Sequence, residues 1–243
     1  MKLRLDIPYA PEHGERGRLD LFLPDHASKR PVVVVIHGGA LREFSKERVA
    51  GWAEFIVEQG WVAANINYRL LSDAPYPAAL QDVLAAYQWI QATDQEDLCR
   101  QDRNRIALLG GSAGAYLAMT AGLMLGRDQV RSIVSISGPA QHSRFVEGSL
   151  ADEVDSRLLL APIELVGPHA PPLLATHSRN DTLVTPDESV AMVERMREAG
   201  CSAEIHLYDG PGDLHGIWRD DHTPLRLFEH IEEVIRTFLL KTL

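Results

Sequence analysis

Only two of the 243 residues are cysteines, Cys99 and Cys201. Two thiols do not make a disulfide framework, and no CxxC or Cys/His cluster suggests zinc, so a reduced, cytoplasmic setting is the default expectation. Basic charge is also scarce. Lys and Arg number 24 against 34 Asp and Glu, a formal net charge of −10. That argues against a nucleic-acid or anionic-membrane partner, which usually needs a basic face. Long apolar runs are missing: the longest, Val32 to Ile36, is strand-sized, far below the roughly 20 residues that span a bilayer. The opening stretch MKLRLDIPYAPEHGERG is charged at positions 2, 4 and 6 and has no apolar core of a signal peptide. No repeat, low-complexity segment or linker interrupts the chain, which reads as one domain over 1–243.

The remaining composition is ordinary for a globular protein, at 45% hydrophobic and 24% charged residues. After a β portion at 17–24, strand and helix patterns alternate. Strands are expected at 31–39, 61–68, 105–109, 132–137, 172–178 and 203–208. Helices are expected at 46–59, 77–91, 113–125, 186–199 and 224–240. Pro77 suits a first helical turn, and Leu80, Val83, Leu84, Tyr87 and Ile90 follow at spacings of three and four. The helix over 113–125 is apolar nearly all round, which marks it as central. Repeated βαβ units imply an α/β fold with a mainly parallel sheet and helices on both faces. Ligands in such sheets bind beyond the carboxyl ends of the strands.

Chemistry is written at those ends. Gly110-Gly111-Ser112-Ala113-Gly114 follows a strand and opens a helix, the setting of a nucleophile elbow in which small neighbours keep a serine hydroxyl uncovered. A plain tight turn is the blander reading. The dipole of the helix start favours negative charge near the Ala113 amide. His37-Gly38-Gly39-Ala40 ends an earlier strand, where exposed amides could receive an oxyanion. His37 itself reads as a structural residue that organises this loop.

Ten histidines compete for the role of base. His13 and His26 fall in the N-terminal β region, His177 and His206 inside strands, and His222 and His230 beside or within the last helix. His215 stands in the loop after the last expected strand of the series and suits a general base. Asp181, after the strand at 172–178, suits the acid that orients it; Asp187 and Asp209 are rivals. The order Ser112, Asp181, His215 is that of the α/β-hydrolases.

At this point the sequence resembles the α/β-hydrolase-fold esterases and lipases, close to the hormone-sensitive-lipase-like group and its compact feruloyl- and acetyl-xylan-esterase-like relatives. The markers are HGGA, SKE at 45–47, INYRL at 66–70, PYPAALQDVLAAYQWI at 75–90, DRNRIALLGGSAGAYLA at 102–118, NDTLVTP at 180–186 and LHGI at 214–217. The resemblance implies Ser112 as nucleophile, Asp181 as acid, His215 as base, and the amides of Gly39, Ala40 and Ala113 as oxyanion hole. Ala40 stands at the third position of the usual HGGG. Leu41 replaces a common aromatic, which is expected to reshape the acyl or alcohol pocket. The cap is expected to be small or absent, with only 139–170 available to cover the site.

The expected activity is therefore serine-dependent hydrolysis of small or short-chain carboxylic esters, with a small-molecule ester as partner and no cofactor or metal. An arylformamidase-like amide hydrolase keeps the same machinery on another bond. A non-catalytic ligand-binding protein of this fold is the alternative from a different class. A homo-oligomer is compatible with the sequence, and Trp218 is left without a role.

Overall fold

The run Val32-Val33-Val34-Val35-Ile36 has no polar face, and the fold buries both sides of it. The computed structural model describes residues 1–25, 29–141, 159–209, 215, 218–219 and 224–243. In chain order the strands are β1 (Lys2–Pro8), β2 (Arg18–Leu23), β3 (Val32–Ile36), β4 (Val62–Ile66), β5 (Ile106–Gly111), β6 (Ser132–Ile136), β7 (Leu173–Ser178) and β8 (Ala203–Tyr208). Among the described residues these eight form one open sheet in the order β1-β2-β4-β3-β5-β6-β7-β8. From β4 to β8 every pairing is parallel, while β1 and β2 join antiparallel. A second pair, β9 (Trp218–Arg219) and β10 (Arg226–Leu227), forms a short antiparallel ribbon.

Helices cover both faces, because strand side chains alternate between them. Val32, Val34 and Ile36 join Ile106 and Leu108 beneath α2 (Ala78–Ala92), α4 (Ala113–Leu125) and α5 (Asp187–Glu198). Val33 and Val35 join Ala107 and Leu109 beneath α1 (Ala50–Glu58) and α6 (Glu229–Thr242). A short α3 spans Glu96–Cys99. As expected for a central helix, α4 is buried from Ala113 through Gly122; only its end emerges, with Met124 exposed. None of the described helices is long and apolar enough to cross a membrane.

Three differences from the sequence expectation have physical causes. β1 is a real strand, paired with β2 at the sheet edge, where nearly all its side chains are exposed. The last helix starts at Glu229 rather than 224, because Arg226 and Leu227 pair with β9 instead. The helix expected over 46–59 begins as a 3-10 turn, Lys46–Val49, before α1.

The segment 139–170 was expected to cover the site, and 142–158 lies outside the described residues. Its described remainder packs on the body of the fold. Leu159, Val166 and Ala170 are buried and Ile163 lies against the same core cluster.

Candidate active site

Ser112 sits where β5 turns into α4 with φ 53° and ψ −120°. A side chain in this region costs of order 1–3 kcal/mol and persists only where neighbours enforce it. Here the Ser112 amide donates to the Ile136 carbonyl of β6 at 2.8 Å, and the Ser112 carbonyl accepts from Tyr116 at 3.0 Å. The strain keeps the hydroxyl proud of the sheet's carboxyl edge.

Two further side chains arrive from other elements. Ser112 Oγ lies 2.6 Å from His215 Nε2, and His215 Nδ1 lies 2.8 Å from Asp181 Oδ2. Asp181 follows β7 in a tight turn; its Oδ1 accepts from the amides of Leu183 at 3.0 Å and Val184 at 2.9 Å. Burial alone would raise the Asp181 carboxyl. Hydrogen bonds from His177 and then His215, the charge of His215 and the Val184 amide outweigh burial and hold it at about 2. It is a carboxylate at any working pH. The rival acids lie elsewhere: Asp187 is exposed at the start of α5, and Asp209 faces Arg179 at 3.8 Å.

The loop after β3 approaches Ser112 from the other side. Gly39 has φ 105°, open to glycine, while Ala40 and Leu41 also take positive φ, 51° and 61°. This backbone turns the amides of Gly39 and Ala40 away from any acceptor: they and Ala113 donate to none among the described residues. Leu41 is fully buried in the core and does not line the pocket, whereas Phe44 does. Burial pushes the His37 imidazole down to about 4, against the hydrogen bond to the Gly38 carbonyl. Its ring stacks on Tyr68 at 4.2 Å, and the Tyr68 hydroxyl donates to the His37 carbonyl at 2.9 Å. His37 is a neutral brace for the loop.

A second brace had no signal in the sequence beyond the SKE marker. Lys46, nearly fully buried, places its ammonium 2.9 Å from Asp6, 2.9 Å from Asp20 and 2.8 Å from Glu47. Asn67 accepts from the Lys46 amide, and Asn65 donates to its carbonyl, both at 2.7 Å. The exit of the 39–45 loop is thereby pinned to β1, β2 and β4.

Ser112, His215, Gly39 and Ala40 line one pocket of about 220 Å³, whose walls include Trp52 and Leu183. His13, His206 and His230 do not line it. His13 contacts Asp82 at 3.2 Å, and His206 and His230 join Tyr208 and Phe228 in an aromatic cluster. His26, His142 and His222 lie outside the described residues, as do Gly210–Leu214 of the expected histidine loop. Trp218 starts β9, and its side chain lies outside them too.

The whole architecture has close counterparts. It superposes on a truncated carbohydrate esterase from gut microbiota with TM-score 0.83 at 19% identity, covering 100% of this chain and 96% of that one. The chain has the α/β-hydrolase fold. Its sequence is similar to those of esterases and lipases, the resemblance that the motifs carried. The BD-FAE family model matches residues 19–135 of this chain. It is 30% identical over 218 residues to the esterase LipC of Mycobacterium tuberculosis, covering 77% of this chain and 53% of LipC. It is 35% identical over 115 residues to mouse hormone-sensitive lipase, covering 45% of this chain and 14% of the lipase. The chain spans 53%, 61% and 56% of three mycobacterial esterase relatives.

Proposed function

We propose that this α/β-hydrolase-fold protein is a cofactor-independent serine carboxylesterase acting on small or short-chain esters. The observation that carries the reading is the unbroken line Ser112 Oγ, His215 Nε2, His215 Nδ1, Asp181 Oδ2, with steps of 2.6 and 2.8 Å. A serine hydroxyl needs a base to become a useful nucleophile, and the base needs an orienting acid. The esterase relatives support the choice of an ester bond.

In the proposed cycle His215 Nε2 takes the hydroxyl proton as Ser112 Oγ attacks the carbonyl carbon. Negative charge develops on the carbonyl oxygen, and the amides of Gly39, Ala40 and Ala113 receive it. His215 then gives its proton to the leaving alcohol, and the acyl group stays on Ser112. Water enters, gives a proton to His215 and attacks the acyl carbon; His215 returns the proton to Ser112 as the acid leaves. Asp181 stays ionised throughout and stabilises the imidazolium. A pocket of about 220 Å³ is below the roughly 300–1,000 Å³ of pockets for drug-sized ligands, which favours small acyl or alcohol groups.

The test is hydrolysis of p-nitrophenyl acetate, butyrate and octanoate and of N-formylkynurenine by the wild type and Ser112→Ala. Turnover of the short esters that vanishes in the variant supports the proposal. Preference for the formamide would transfer the assignment to an amide hydrolase. Equal background rates from both proteins would contradict an enzymatic role.

A further inference from the structure

The carboxylate of Asp181 is held from a second side. His177, on β7 and fully buried, places Nε2 at 3.1 Å from Asp181 Oδ2 and 2.8 Å from the Val184 carbonyl, and Nδ1 at 2.7 Å from Ser189 Oγ. A carboxylate and a carbonyl only accept, so the proton of a neutral ring must sit on Nε2. Nδ1 is then an acceptor, and the Ser189 hydroxyl donates to it. Ser189 lies in the first turn of α5 and is itself buried. The tautomer of His177 is thus fixed by three partners, and its one N–H is shared between the Val184 carbonyl, at 2.8 Å, and, at 3.1 Å, the oxygen that also receives His215.

We propose that His177 is a positioning residue for the reaction: it divides the hydrogen-bonding capacity of Asp181 Oδ2 with His215 and so sets both the orientation and the basicity of His215. This rests on the reading of Ser112, His215 and Asp181 as a working unit. With a second donor on Oδ2, less charge is left to stabilise a protonated His215. Remove that donor and the imidazolium is favoured, so a larger fraction of His215 is protonated and idle at neutral pH. The groups facing Asp181 from the packed elements are His177 of β7, Tyr208 of β8 and His215 itself. Tyr208 is a buried phenol with no hydrogen-bond partner among the described residues, and His177 is the one whose hydrogen bond to Asp181 can be removed.

The experiment measures the rate of Ser112 labelling by a fluorophosphonate, and kcat/KM on p-nitrophenyl acetate, from pH 5 to 9 with thermal melts alongside. For His177→Leu the acid limb is expected to move up by about half to one pH unit, with a rate at pH 7 slower by up to about three- to tenfold. His177→Gln, whose side-chain amide can donate in the place of Nε2–H, should return most of both. Ser189→Ala, which removes only the hydroxyl pinning Nδ1, should move the limb the same way by less, and it remains informative if His177→Leu does not fold. A wild-type acid limb in all the variants that fold, with any loss tracking the melts alone, would overturn the proposal while leaving the esterase reading intact. A wild type that is neither labelled nor active would overturn both.

Discussion

Replacing Gly114 by alanine should disable the site without touching any reacting atom. Gly114 lies in the first turn of α4, and an added Cβ would sit 2.2 Å from the Ile36 carbonyl oxygen and 2.4 Å from that of His37. Both are backbone atoms at the end of β3, where no flexible side chain can swing aside. To reach the 3.0 Å below which Cβ contacts are essentially not found, helix and strand must separate by at least about 0.8 Å. The separation opens between Ser112 on one side and the Gly39–Ala40 amides on the other. Overpacking of this kind costs typically about 1–3 kcal/mol, and a misplacement near 1 Å can lower turnover on the order of a hundredfold. Urea unfolding and p-nitrophenyl acetate turnover measured side by side read both effects. Gly167→Ala is the control, since its Cβ would meet nothing within 4 Å. A Gly114→Ala protein with wild-type stability and wild-type kcat would refute the claim that this close approach sets the geometry of the site.

Three other outcomes follow from the same structure. Lys46→Met leaves the buried carboxylate of Asp20 without its cation and should destabilise the fold by about 3–5 kcal/mol, measurable as a lower urea midpoint. Asp181→Asn should lower kcat by several orders of magnitude, because the amide no longer fixes the His215 tautomer. It should also lower the melting temperature, because an amide nitrogen replaces one of the oxygens that accept from Leu183, Val184, His177 and His215; extended-time ester assays and thermal melts read the two effects. The native His37 titrates at about 4 rather than 6.5; the unfolded chain therefore takes up the proton first as pH falls. Its contribution is fully present above pH 6.5 and lost towards pH 4, a drop of about 3 kcal/mol that should be absent in His37→Gln when unfolding is followed across that range.

The alternation of β and α segments was legible because β3 to β7 are buried on both faces and are mostly apolar, with only scattered polar residues such as Asn65 and Ser135. β1 went unread although Leu3, Leu5 and Ile7 alternate with charges, since an exposed edge strand lacks the continuous apolar run that marked the others. Ser112, Asp181 and His215 could be singled out because each follows a strand, which places it at the carboxyl edge of a parallel sheet. His177 could not. Within its strand it reads as a core residue, and only the turn that folds Asp181 back four positions later brings the two together. Lys46 was equally opaque, because its burial depends on Asp6 and Asp20, contributed by strands far from it in sequence.

The most direct test of the central claim is to treat the protein with a fluorophosphonate and locate the adduct by peptide mass spectrometry. The account predicts one label per chain, on Ser112, lost in Ser112→Ala and formed far more slowly in His215→Gln. A wild-type protein that stays unlabelled, or labels equally well without His215, would contradict the assignment of Ser112 as a nucleophile activated by that histidine.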